Sequence, residues 1–276
     1  MLGIATALAL GLTLAPPLRA DTSILIQMTE IQIVKEDDPL SNDEPYLINI
    51  GFKAQIAVGE DGKPSLVPGS LSVIPVGKAA HNNCGRKGDN WANRGGKYAV
   101  DTQLFGTVLP SDEPGWIAGV ISVLFEEDAY SDSTANELRN RLRDEVSEAM
   151  TALSFESVDT SGLTRAVASK IVRDLQRAGS RLNIAGLFRN LASAMDPDDF
   201  GGVNMVLAIT MPQNGLMMFA GSPPENVGAV PTLTMVPQGE KTSFSLDFPK
   251  EIPGSVLWNA RYRGKCVVKG VVYRGN

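Results

Sequence analysis

Two apolar runs, Ile117 to Phe125 and Val203 to Met211, constrain the fold of this chain most. Both are β-like, and both adjoin acid. Glu126-Glu127-Asp128 follows the first, and Asp196-Pro197-Asp198-Asp199-Phe200-Gly201-Gly202 leads into the second. Between them the apolar spacing changes to that of a helix. Ala135, Leu138, Leu142, Val146, Ala149, Met150 and Leu153 share one helical face. Thr134 followed by Glu137 reads as a capping box at its start. A second helix is predicted over 161–178, with Leu163, Ala166, Val167, Ile171 and Leu175 on one side and Gly179 as its stop. A third is predicted over 184–194, carrying Leu187, Phe188 and Leu191. The pattern is that of two strands joined by an acidic loop, with a helical subdomain inserted in the loop.

The remaining chain reads as strands and turns. Strands are predicted over 22–34, 46–58, 70–76 and 98–109 before the insertion. After it they are predicted over 216–220, 232–236, 243–248, 255–262 and 265–273. The clearest is the second, where Ile48, Ile50, Phe52, Ala54 and Ile56 alternate with period two. Asn214-Gly215 is a hairpin-type turn signal. Residues 78–96 form a long Gly/Asn-rich loop containing Cys84 and Trp91. No internal repeat, low-complexity run or interdomain linker is present. The expected architecture is mainly β: an antiparallel β-sandwich built from 21–132 and 196–276, with a helical insertion over 133–195.

Residues 1–20 read as a signal peptide. Leu2 to Leu14 is a short apolar run, Pro16-Pro17 breaks it, and Ala20 before Asp21 is a suitable cleavage point. The run is too short to span a bilayer, and no other stretch is long and apolar enough. The expected location is therefore secreted or periplasmic. Export puts Cys84 and Cys266 in oxidising conditions, where one disulfide between them can form; two separate thiols are the alternative. A net charge of −6 argues against nucleic acid as a general partner.

The acidic loops resemble those of C2 domains. Asp38-Pro39-Leu40-Ser41-Asn42-Asp43-Glu44-Pro45-Tyr46 is similar to the first calcium loop of that family, where an Asp is followed six residues later by Asp-Pro-Tyr at the start of a strand. Asp38 matches the first ligand, and Glu44 with Asp43 beside it takes the second place. The split acidic stretch resembles the third loop. Phe125, Glu126 and Asp128 stand at its opening, and Asp198-Asp199-Phe200-Gly201-Gly202 at its close. Glu replaces the family's Asp at two positions, and the family's loop is short where this one holds helices. The resemblance implies an eight-stranded C2-like antiparallel sandwich with Ca2+ held between loops at one end. It also implies binding to phospholipid or a protein partner. Calcium takes six to eight oxygens, which carboxylates from two loops can largely supply. Solvated Asx turns and a helix cap at Asp132 are the plainer reading of the same residues.

Other candidates carry less. His81, the only histidine, lies near Cys84, but a bridged cysteine beside a surface histidine explains both better than a catalytic pair. No nucleophile elbow, P-loop or dinucleotide fingerprint is present. Trp91, Trp116 and Trp258 read as core or loop anchors. Residues 133–195 hold nine Lys/Arg against seven Asp/Glu. The insertion is thus either a mildly basic head that meets an anionic surface or a solvated face laced with ion pairs. The expected function is a non-enzymatic, calcium-dependent binding module whose insertion contacts a protein or membrane. A metal-free structural or toxin-like protein and a carboxylate-based hydrolase are the alternatives.

Overall fold

The structure, a computed structural model, describes residues 21–35, 45–76, 96–110, 115–126, 132–155, 162–180, 199–222, 231–248 and 265–275. The expected signal peptide, the third helix, the strand over 255–262 and Cys84 lie outside the described residues.

Among the described residues, eleven strands and two α-helices follow one another in the order β1 (Thr22–Lys35), β2 (Pro45–Val58), β3 (Pro64–Leu66), β4 (Ser72–Val76), β5 (Lys97–Leu109), β6 (Trp116–Glu126), α1 (Asp132–Thr151), α2 (Arg165–Ser180), β7 (Asp199–Met211), β8 (Gly215–Gly221), β9 (Thr234–Met235), β10 (Lys241–Phe248) and β11 (Lys265–Arg274). They form two antiparallel sheets. One has four strands in the order β10-β11-β1-β5. The other has seven, in the order β3-β2-β6-β7-β8-β9, with β4 also paired to β2. The sheets are open and lie face to face. β10 packs on β7 and β8, and β5 packs on β2 and β6.

The helices form a third layer. Ile48, Ile50, Phe52, Val123, Phe125, Met205 and Leu207 on one face of the seven-stranded sheet share a core with Leu138, Leu142 and Val146 of α1 and Ile171, Val172 and Leu175 of α2. Leu47, Val120, Leu124, Val206 and Ala208 on its other face share a second core with Ile26, Ile31, Phe244, Leu246 and Val268 of the four-stranded sheet. β6 and β7 are therefore covered on both faces. That explains their continuous apolar sequences, since every position from Ile117 to Phe125 and from Phe200 to Thr210 is buried. Among the described residues, the four-stranded sheet is covered on one face only. β10 accordingly alternates, with Phe244, Leu246 and Phe248 buried between exposed serines and Asp247.

Local departures have local causes. The first strand alternates imperfectly in sequence because its register shifts between Met28 and Glu30 against both neighbours. This bulge lets Met28 and Ile31, three residues apart, both enter the core. Helix α1 begins at Asp132, so Thr134 lies inside its first turn and is not the cap. Thr164 caps α2 instead, its Oγ1 accepting a hydrogen bond from Val167 N at 3.3 Å. Ala166 is exposed, whereas Ala168 and Val172 are buried, so the buried face of α2 is turned from the expected one. Gly179 falls within the helix. The β7–β8 hairpin turns through a 3-10 segment, Pro212–Asn214, and Gln213 carries the positive φ of 60° that the sequence suggests for Asn214-Gly215.

Candidate functional site

The acidic stretches attach to one end of the seven-stranded sheet. β2 begins at Pro45, β6 ends at Glu126 and β7 begins at Asp199. Pro45 pairs with Glu126, and Glu126 with Asp199. Neighbouring strands lie about 4.8 Å apart, so the three strand ends span about 10 Å. The start of β2, the end of β6 and the start of β7 thus lie side by side. Of the seven candidate ligands, Glu126 and Asp199 are placed by their backbone. Asp38, Asp43, Glu44, Asp128 and Asp198 lie outside the described residues. Among the described residues no group of three or more His, Cys, Asp or Glu could hold a metal ion.

A β-bulge sets the pairing of Glu126 with Asp199. From Ile117 to Leu124, each residue of β6 faces its partner on β7 in one constant register, ending at Leu124 opposite Gly202. The next pair is Phe125 with Phe200, so Gly201 is the extra residue. Gly202 has φ +112°, a conformation that side chains rarely adopt. Without the bulge Phe200 would stand opposite Glu126, one place too far along. With it, Phe200 and Val203 both belong to the core facing the helices although they are three positions apart. The Gly-Gly pair in the acidic motif thus has a structural task, and alternation alone would have put Phe200 on the other face.

The row beneath the acidic ends is aromatic. Tyr46, Phe125 and Phe200 occupy consecutive paired positions on β2, β6 and β7. Tyr46 stacks on Phe125 with ring centroids 5.4 Å apart, and Phe125 meets Phe200 edge to face at 5.9 Å. All three are buried. Such pairs add about 0.5–1.5 kcal/mol each beyond their buried area and fix the strand ends to one another.

Sequence reasoning missed a second row, three positions from the aromatic one along β2 and β6. Asn49 pairs with Ser122, and Ser122 with Asn204. Ser122 Oγ donates to Asn49 Oδ1 at 2.7 Å. Asn204 Nδ2 donates across the sandwich to the Asp247 carbonyl of β10 at 2.9 Å. The available signal was one polar side chain in the middle of each of three apolar runs.

Two of the three arginines of α1 are engaged by carboxylates of the same helix. Arg141 pairs with Glu137, and Arg143 with Asp144 at 2.6 Å. The apolar faces of both helices are used up against the sheet. Cys266 is buried in β11, paired with Ile33 and Phe248 on the neighbouring strands. Its expected bridge to Cys84 falls outside the described residues. No helix among the described residues is long and apolar enough to cross a membrane.

No family model, curated protein or solved structure matches this chain.

Proposed function

We propose that this chain is a secreted or periplasmic, C2-like, non-enzymatic binding module that holds calcium at the acidic end of its seven-stranded sheet. The observation that supports this is the pairing of Pro45, Glu126 and Asp199 on adjacent strands. It joins the two acidic motifs, remote in sequence, to one edge. Calcium would be held by carboxylates drawn from Asp38, Asp43, Glu44, Glu126, Asp128, Asp198 and Asp199. Its role there would be to neutralise that end, so that an anionic phospholipid surface or an acidic protein face can approach.

The test is a thermal melt with calcium and with chelator. A ligand bound only by the folded state stabilises it by RT ln(1 + [L]/Kd), about 1.4 kcal/mol at ten times Kd. Extracellular calcium modules commonly have Kd of about 10⁻⁴ to 10⁻³ M. A chain of this size should gain about 3–5 °C. The gain should vanish in Asp128→Asn/Asp199→Asn, which should melt no lower than the parent in chelator because repulsion is relieved. A parental midpoint that ignores several millimolar calcium leaves the metal-free structural or toxin-like reading.

A further inference from the structure

We infer that Asn49, Ser122 and Asn204 are the register lock of the seven-stranded sheet, and so are positioning residues for its acidic end. β6 and β7 are apolar on both faces. In most half-buried strands, alternation of apolar and polar residues resists slippage. Here a slip of two residues would exchange Val, Leu, Ile and Met for one another on either face, and patterning would oppose it weakly. The polar residues oppose it strongly. Ser122 is the only polar residue between Ile117 and Phe125, Asn204 between Phe200 and Ile209, and Asn49 between Tyr46 and Phe52. All three are buried, at 0%, 1% and 6% exposure. They meet only in the observed register. A two-residue slip of β6 against β2 would set Ser122 beside Leu47 or Gly51. Against β7 it would set Ser122 beside Gly202 or Val206. Either slip parts the row, and the first orphans the Ser122–Asn49 hydrogen bond in a dry core. The Asn204–Asp247 bond extends the lock to the other sheet, fixing how far β7 slides along β10.

The lock acts at a distance through the backbone. Asn49 lies four positions from Pro45, Ser122 four from Glu126, and Asn204 five from Asp199, the extra one being the bulged Gly201. Register at the row therefore decides whether Glu126 faces Asp199 or a neighbour.

The test replaces the row by apolar residues of similar size, Asn49→Leu/Ser122→Ala/Asn204→Leu, in the full chain. Register is read by interstrand backbone NOEs linking Ile48 to Val123 and Val123 to Val203. The variant should keep its β-sheet circular dichroism but show more than one set of amide resonances along β2, β6 and β7. Ser122→Thr, which retains the hydroxyl, should show one set. If the triple variant aggregates, Asn49→Leu alone orphans the Ser122 hydroxyl and should give a second, minor set. One set of resonances with the parental NOEs in the folded apolar variant overturns the lock. A further readout rests on the calcium reading: calcium affinity should fall at least tenfold in the triple variant. A parent that binds no calcium beside a variant of mixed register sinks that reading and leaves the lock standing.

Discussion

Replacing Gly201 with alanine probes the bulge that aligns the acidic strand ends. A Cβ at this position would lie 2.6 Å from Leu124 Cδ2, 2.9 Å from Cγ and 3.0 Å from Cβ. The terminal methyl can rotate away. Cγ and Cβ are tied to the β6 backbone and can yield only if the strand moves. Overpacking of this kind costs about 1–3 kcal/mol, or about 2–12 °C in melting midpoint at about 2–4 °C per kcal/mol. The obstruction is a single side chain, so Leu124→Ala should relieve it. That change alone should cost about 2–5 kcal/mol, because Leu124 is buried between the sheets. The double variant should be more stable than the sum of the two single losses, with a coupling of about 0.5–3 kcal/mol. Denaturant unfolding of the four proteins measures it. Equal costs for Gly201→Ala in both backgrounds, within about 0.5 kcal/mol, would refute the steric reasoning and leave conformational strain as the cause.

Other expectations are more quickly stated. Leu142→Ala on α1 should cost about 2–5 kcal/mol, because the helix closes a core; Arg141→Ala should cost no more than about 0.5 kcal/mol, the worth of an exposed i,i+4 pair. Similar losses for the two in denaturant unfolding would mean that the helical layer is not core. Glu30 should give the protein a small acid-side dependence. A hydrogen bond from Lys269 Nζ at 2.6 Å, with Coulombic help from Lys269 and Lys97, holds its carboxyl below the ordinary value of 4.5. A depressed folded-state value means stability that is present above the ordinary value and is lost as pH falls through the folded one. Glu30→Gln should therefore flatten the stability profile below about pH 4.5. Both side chains are partly exposed, so the effect should stay under about 1 kcal/mol and shrink in salt.

The sequence made some levels of this fold legible and hid others. Element type was readable because β2 alternates and α1 carries a helical stripe, and Leu138, Leu142, Val146 and Met150 are all buried as that stripe requires. That acidic stretches flank the ends of β2, β6 and β7 was readable from where each meets an apolar run. Which face meets which layer was not, because β6 and β7 are apolar on both sides and periodicity cannot orient them. The bulges were also hidden. Gly201-Gly202 was visible as a motif, but that one glycine is an extra residue emerges only from its pairing with Leu124. The buried face of α2 was misassigned because its alanines are nearly neutral markers: Ala166 faces solvent and Ala168 the core.

Pairing of the first described strand with the last shapes how this chain must acquire its structure. Glu30 and Lys269 bond although 239 residues separate them in sequence. β1 is an inner strand of the four-stranded sheet, flanked by β5 and β11. A chain emerging amino end first can form the β1–β5 pair early, but the other edge of β1 waits for nearly the whole polypeptide. Until then β1 offers a row of unpaired amides and carbonyls, which is a template for unwanted strand addition. Closing such a long loop also slows folding, placing a sheet of this connectivity toward the millisecond-to-second end of the scale. Assembly of the four-stranded sheet is thus a late, chain-wide event, and a truncation that removes β11 should leave β1 paired with β5 alone and β10 without its strand partner.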